Sequence, residues 1–173
     1  MVIVSDNLKE LIKQHNIVNE TCFDETSISL SLDNNITFLK FPANYEFIYG
    51  NTIPQEFIQE SFIEDGEYLV LKPKSTVLAC SHEVINIPLG YFGLLQTKGS
   101  LARLFVSIHC SDGQIEPGFS GKITFEIINF SNFCIKIRPK QIIGDLFLLK
   151  TSTKQVKPYS GKYNKSDKPT FQK

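Results

Sequence analysis

Between Tyr68 and Leu149 the chain is cut into short runs rich in Ile, Val, Leu, Phe and Thr: Tyr68 to Leu71, Thr76 to Cys80, Tyr91 to Leu95, Leu104 to His109, Lys122 to Ile128, Cys134 to Ile137 and Ile142 to Leu149. Pro, Gly, Asn and Asp separate them. Segments this short, with a breaker at each end, cannot sustain a helical stripe but suit strands. So many strands at close spacing must close into a sandwich or barrel to bury their apolar faces. Composition agrees, because fourteen Phe and six Tyr stand against one Met, no Trp and three Ala, a usage that favours strands. At 173 residues and 42% hydrophobic content, the chain has enough apolar surface for one core.

Upstream, one helix is predicted. It opens at Ser5-Asp6-Asn7 as an N-cap region, carries Leu8, Leu11 and Ile12 on one face, and ends near His15 or Asn16. From Thr26 the period becomes two, with Ser27, Ser29 and Ser31 alternating against Ile28, Leu30 and Leu32, as in a half-buried strand. Asp33-Asn34-Asn35 then reads as the turn of a hairpin into Ile36 to Phe41. The polar, aromatic-flecked stretch from Pro42 to Asp65 has no clear period, and Gln55 to Phe62 reads as one short helix. The chain therefore divides into a β domain over 1–150, helix included, and a tail over 151–173. That tail has six Lys, two Pro and two Tyr but hardly any aliphatic residue, so a solvated, mobile terminus is its simplest description.

Charge and motif content exclude several functions. Eighteen basic residues balance eighteen acidic ones, so no net field favours nucleic acid or an anionic membrane. No apolar run approaches a membrane span, and residues 1–12 are too charged for a signal peptide; a soluble, intracellular, cytoplasmic protein is expected. Cys22, Cys80, Cys110 and Cys134 are scattered and form no Cys-x-x-Cys pair, so buried reduced thiols are expected rather than a zinc knuckle. His82-Glu83 is not followed by the second histidine of a His-Glu-x-x-His site, since Asn86 stands there. The His-x-Glu and Pro-Cys-x-x-Cys segments of a zinc nucleobase deaminase and the Gly-rich loop of a P-loop protein are missing as well.

Chemistry-bearing residues concentrate between Gln96 and Asn129. Thr97-Lys98-Gly99-Ser100-Leu101-Ala102-Arg103 combines two cations, hydroxyls and a flexible backbone, which suits phosphate oxygens and equally an ordinary surface turn. The segment Gly113 to Asn129 reads as a turn running into a strand. Its alternation places Lys122, Thr124 and Glu126 on one face and Ile123, Phe125 and Ile127 on the other. Glu126 is thus either a solvated strand carboxylate or a pocket carboxylate whose raised pKa fits it for proton transfer.

Together these segments resemble the dCTP deaminase and dUTPase superfamily. That family shares a basic-x-Ser phosphate segment followed by Gly-x-Ile-Asp/Glu-x-Gly-Phe/Tyr-x-Gly-x-Ile. Ser100 to Arg103 and Glu126 resemble the deaminase branch in particular. Arg138-Pro139 with Ile143-Gly144, the Ile3 to Ile12 helix and Tyr159-Ser160-Gly161-Lys162-Tyr163 resemble further family segments.

The resemblance implies a mainly β fold, a distorted barrel or jelly roll of the dUTPase-like type with one short N-terminal helix. It implies a homotrimer with active sites at subunit interfaces, acting on a deoxynucleoside triphosphate and binding neither nucleic acid nor membrane. Magnesium would arrive on the triphosphate, and no zinc would be used. The activity implied is conversion of dCTP to dUTP and ammonia, alone or with linked triphosphate hydrolysis. Glu126 would activate water, with Arg103 beside it. Lys98, Gly99, Ser100, Asp112, Gln114, Glu116, Tyr159, Lys162 and Tyr163 would bind substrate, and the tail would close over the site.

Several positions depart from the family pattern: Gly99 for Ser, Ser29 for Asp, Ser31 for Arg, Glu116 for Asp, Asp112 for a small residue, Asp145 for Gln and Ser166 for Gln. Two other readings therefore stand beside the first. One is a dUTPase-like pyrophosphatase with Glu116 activating water at the α-phosphate. The other is a non-catalytic nucleotide-binding trimer, motivated by Gly99, Ser29 and Asp112.

Overall fold

Strand β1, Ile28–Leu39, organises the fold in this computed structural model, which describes residues 1–171. In chain order it is followed by β2 (Ile58–Phe62), β3 (Leu69–Leu71), β4 (Thr76–Ser81), β5 (Ile85–Asn86), β6 (Tyr91–Thr97), β7 (Val106–Ser107), β8 (Gln114–Ile115), β9 (Ser120–Gly121), β10 (Thr124–Asn129), β11 (Ile135–Ile137) and β12 (Ile142–Lys150). An antiparallel sheet runs β7-β10-β4-β1-β12-β6-β8, with β2 paired to the far end of β1, and curls into a half-barrel. Two small ribbons, β11 with β3 and β5 with β9, flank it. The mainly β fold expected from the strand runs is the one formed.

The first half of β1 pairs with β12 and the second half with β4 and β2. The hairpin expected at Asp33-Asn34-Asn35 is not formed, because the strand runs straight through it. The turn-forming side chains stabilise a bulge instead: Asp33 Oδ1 accepts from the Asn35 backbone N–H (2.9 Å) and Asn34 Nδ2 donates to the Ile63 carbonyl (2.6 Å). Bulges of this kind let one strand bend between two partners. At the other irregularity, between Leu30 and Ser31, Glu83 accepts from the Ser31 N–H (2.9 Å) and hydroxyl (2.5 Å). The His82 N–H donates to the Ser31 carbonyl (2.9 Å), so His82 and Glu83 both bond to β1.

Helix α1, Ser5–His15, has the predicted bounds and buries Leu8, Leu11 and Ile12, while Asn16 closes it in the left-handed region. Its expected side-chain N-cap is not made, as the Ser5 hydroxyl donates to Glu25 (3.0 Å). Gln55 to Phe62 is not a helix. Gln55–Phe57 makes one 3-10 turn and Ile58–Phe62 extends as β2, since the open edge of β1 offers a ladder that a short isolated helix lacks. Leu8 and Ile12 join Leu30, Phe125, Ile127, Leu146 and Leu148 in one apolar core. Of the cysteines only Cys80 is buried, its thiol pushed up to about 12 by burial, whereas Cys22 is half-buried and Cys110 and Cys134 are exposed beside loops. Among the described residues no helix is long and apolar enough to cross a membrane.

One ion pair is largely buried beside this core. Asp33 Oδ2 takes the Lys122 ammonium at 2.6 Å, with side chains 5% and 18% exposed, and His82 Nδ1 lies 3.5 Å away. Burial works to raise the Asp33 pKa, but the Lys122 and Asn35 hydrogen bonds outweigh it and leave the carboxyl below its usual range. A depressed carboxylate stabilises the fold above its unfolded pKa, and the contribution is lost as pH falls through the folded value. Asp33→Asn should therefore cost about 3 kcal/mol at neutral pH. Urea denaturation should show that difference shrinking once pH falls below about 4, the unfolded value, and vanishing as the folded wild-type carboxylate protonates at its lower pKa.

Candidate active site

Strand β10 carries the central residue. Its buried positions Phe125 and Ile127 anchor it in the core, so Thr124 and Glu126 are turned to the opposite face with Lys122 just before them. That face forms the floor of a cavity of about 380 Å³ which also admits Gln114 from β8 with Asp112 and Glu116 on either side of that strand. Glu126 Oε2 accepts the Cys110 backbone N–H at 3.0 Å. Burial pushes the Glu126 carboxyl above the ordinary glutamate value; the Cys110 hydrogen bond pulls it back, and the negative charge of Asp112 raises it further. Such a group is an acceptor poised to take a proton and able to hold it.

The tail forms the cavity's outer wall. Tyr159 N–H donates to the Pro117 carbonyl (2.8 Å), Lys165 N–H to Ser120 (2.6 Å) and Thr170 N–H to the Thr124 hydroxyl (3.2 Å), while Lys122 N–H donates back to Ser166 (2.7 Å). Glycine is needed where the tail crosses. A Cβ at Gly118 (φ +86°) would come within 2.9 Å of Pro158, and one at Gly121 (φ +144°) within 2.9 Å of the Ser166 nitrogen. The Tyr159 ring packs on Phe119 at 5.9 Å between centroids, and Tyr163 lines the same space. Burial raises the Tyr159 hydroxyl pKa. Lys162 lies outside this cavity, in an adjoining one of about 470 Å³ that also holds Lys165 and Lys168. The expected tail, 151–173, is thus a docked segment without strands over its described part; Gln172 and Lys173 lie outside the described residues.

The basic segment is elsewhere. Gly99–Ala102 winds into one short helical turn, α2, with Lys98 as its N-cap and Arg103 as its C-cap. Lys98, Gly99, Ser100 and Arg103 do not line the cavity that holds Glu126. The expectation that Arg103 lies beside Glu126 concerns a site between subunits, and within one chain Arg103 is not among the residues that line the Glu126 cavity. Asp112, Gln114, Glu116, Glu126, Tyr159 and Tyr163 line one cavity. The sequence reading missed Phe119, Thr124 and Lys122 as lining residues, although the alternation of β10 put the latter two on the Glu126 face. Among the described residues, no three His, Cys, Asp or Glu side chains converge to hold a metal ion.

A family model described as dCTP deaminase-like matches residues 2–151. The chain belongs to the dCTP deaminase-like family. Its relatives include the dCTP deaminase, dUMP-forming, of Halobacterium salinarum, 30% identical over 139 residues that cover 76% of this chain and 71% of the relative. Another is the dCTP deaminase, dUMP-forming, of Corynebacterium glutamicum, 43% identical over 101 residues that cover 58% of this chain and 53% of the relative. The chain thus spans about half the length of the latter. The crystal structure of 2'-deoxycytidine 5'-triphosphate deaminase from Agrobacterium tumefaciens superposes with a TM-score of 0.63 over 85% of this chain and 47% of its own, at 15% identity. That likeness establishes the shared fold of this dCTP deaminase-like chain.

Proposed function

We propose that this family member converts dCTP to dUTP and ammonia, with Glu126 as general base and later proton donor. The observation that carries the reading is a half-buried carboxylate on the floor of an aromatic-walled cavity, its pKa raised by burial and one oxygen fixed by the Cys110 N–H. Glu126 takes a proton from water as the oxygen adds to the cytosine carbon bearing the amino group. The same proton is then delivered to that amino group, the carbon–nitrogen bond breaks, ammonia leaves, and the proton of the added hydroxyl passes to the neighbouring ring nitrogen to give the uracil carbonyl. The reaction so drawn needs no zinc. Gln114 and the Tyr159 and Tyr163 rings would orient the base and sugar.

The cavity carries three carboxylates, Asp112, Glu116 and Glu126, and its lysine is already paired to Asp33. A triphosphate would meet repulsion there unless cations come from outside the chain's own pocket. Two sources fit: magnesium carried on the phosphates, and Lys98, Ser100 and Arg103 of a neighbouring copy in a homotrimer. The separation of α2 from the Glu126 cavity within one chain supports this composite site. Glu116 in the same cavity as Glu126 also favours linked hydrolysis to dUMP, the product in the names of the two relatives above.

Incubating the full chain with dCTP and magnesium should release ammonia and yield dUTP or dUMP. Release of pyrophosphate from dUTP without ammonia from dCTP would favour the dUTPase-like reading. Binding without either product would favour a nucleotide-binding trimer.

A further inference from the structure

The ammonium of Lys98 is already engaged by two carboxylates. Its Nζ lies 2.9 Å from Asp145 Oδ1 and 3.7 Å from Asp24 Oδ2. These acids come from separate segments, Asp145 from β12 and Asp24 from the loop before β1, and both are themselves held. The Asp145 side chain is 15% exposed and its Oδ1 also accepts from the Ser27 hydroxyl at 3.5 Å. Asp24 Oδ1 accepts the Glu25 N–H at 2.8 Å, which leaves Oδ2 for the lysine. The backbone is fixed too, since Lys98 N–H donates to the Ile143 carbonyl at 2.8 Å. In register, Asp145 faces Ser29 on β1 and Gln96 on β6, both neutral. The hydrogen bond that Lys98 donates to Asp145 holds its ammonium above the ordinary lysine range, with Asp24 adding to it.

We propose that Asp145, assisted by Asp24, is a positioning residue that weakens the grip of Lys98 on the nucleotide's phosphate tail and so tunes the enzyme toward phosphates already neutralised by a metal. This rests on the nucleotide reading above. The physics is competition: two carboxylates and one ammonium carry a net negative charge, so a polyphosphate approaching Lys98 must share its cation and meet the repulsion of both acids. A phosphate tail carrying a divalent cation pays less of that repulsion than a bare one.

The test uses inorganic tripolyphosphate as probe, titrated calorimetrically with and without magnesium into the full chain and into Asp145→Asn, Asp24→Asn and Lys98→Ala. Asp145→Asn, nearly isosteric, should bind free tripolyphosphate about five- to tenfold tighter, and Asp24→Asn about twofold tighter. The advantage of the magnesium complex should narrow in both. In a Lys98→Ala background the gain from Asp145→Asn should largely vanish, which a merely structural role of Asp145 would not produce. With dCTP, Asp145→Asn should lower KM and leave kcat unchanged. Equal or weaker binding by both Asn variants, the same gain without Lys98, or no tripolyphosphate binding by any of the proteins would overturn the proposal. Asp24 is half-exposed, so its variant remains informative even where Asp145→Asn melts early. Ammonia release from dCTP by the wild type reports on the deaminase reading separately. Ammonia with unaltered affinities sinks only the lysine proposal, whereas tighter binding without ammonia sinks only the deaminase.

Discussion

Glu126→Gln is expected to cut ammonia release by roughly a hundredfold or more while leaving nucleotide affinity nearly unchanged. The amide keeps the shape of the side chain and an oxygen to accept the Cys110 N–H, so the cavity floor is preserved. What it loses is the ability to take a proton from water. The pH profile gives an independent check. Because burial raises the Glu126 pKa, the base is ionised only above that raised value, and wild-type turnover should fall on acidification at a pH higher than an ordinary glutamate would give. The acidic limb should vanish from the residual activity of the glutamine variant. Near-normal ammonia release from Glu126→Gln would remove the base assignment and turn attention to Glu116 and Asp112, the other carboxylates of the cavity.

What could be read from the residues divides along a physical line. Alternation within β10 and the helical spacing of Leu8, Leu11 and Ile12 are local, and both are realised. Glu126 was legible as a pocket candidate because a period of two places it opposite Phe125 and Ile127. The failures are places where a distant segment decides. Asp33-Asn34-Asn35 has every local mark of a turn, yet Lys122 and Ile63, far along the chain, capture its side chains and hold it as a bulge. Gln55 to Phe62 has no clear period of its own, and the edge of β1 recruits its second half as a strand. The family resemblance groups Lys98 and Arg103 with Glu126 at a subunit interface, and the lining of one chain's cavity contains Glu126 alone of the three. Pairing of Lys98 with Asp145 and Asp24 has no local signal at all, because it depends on β12 and β6 lying side by side.

Removing the tail from Lys157 onward should leave a folded protein with turnover lower by about a hundredfold, since loss of the wall that positions the substrate costs alignment. Stability should suffer far less. Among the described residues no strand lies beyond Lys150, and the buried residues of the apolar core all precede the tail, of which Tyr159 packs against them. The truncation removes the backbone bonds from Tyr159, Thr170 and Lys165 to the 117–124 segment, together with the cover over Phe119. Each such bond is worth about 1 kcal/mol net, so a melting temperature lower by roughly 5–10 °C is expected. Nucleotide affinity should fall together with turnover, because the tail contributes Tyr159 and Tyr163 to the cavity and Lys162 to the space beside it. Limited trypsin digestion of the intact chain gives a complementary result, in which bound nucleotide should protect Lys162 and Lys165 from cleavage. A truncated protein that keeps most of its turnover, or equal cleavage with and without bound nucleotide, would mean that the docked tail covers Phe119 for stability alone and that the substrate is held by the barrel and a neighbouring copy.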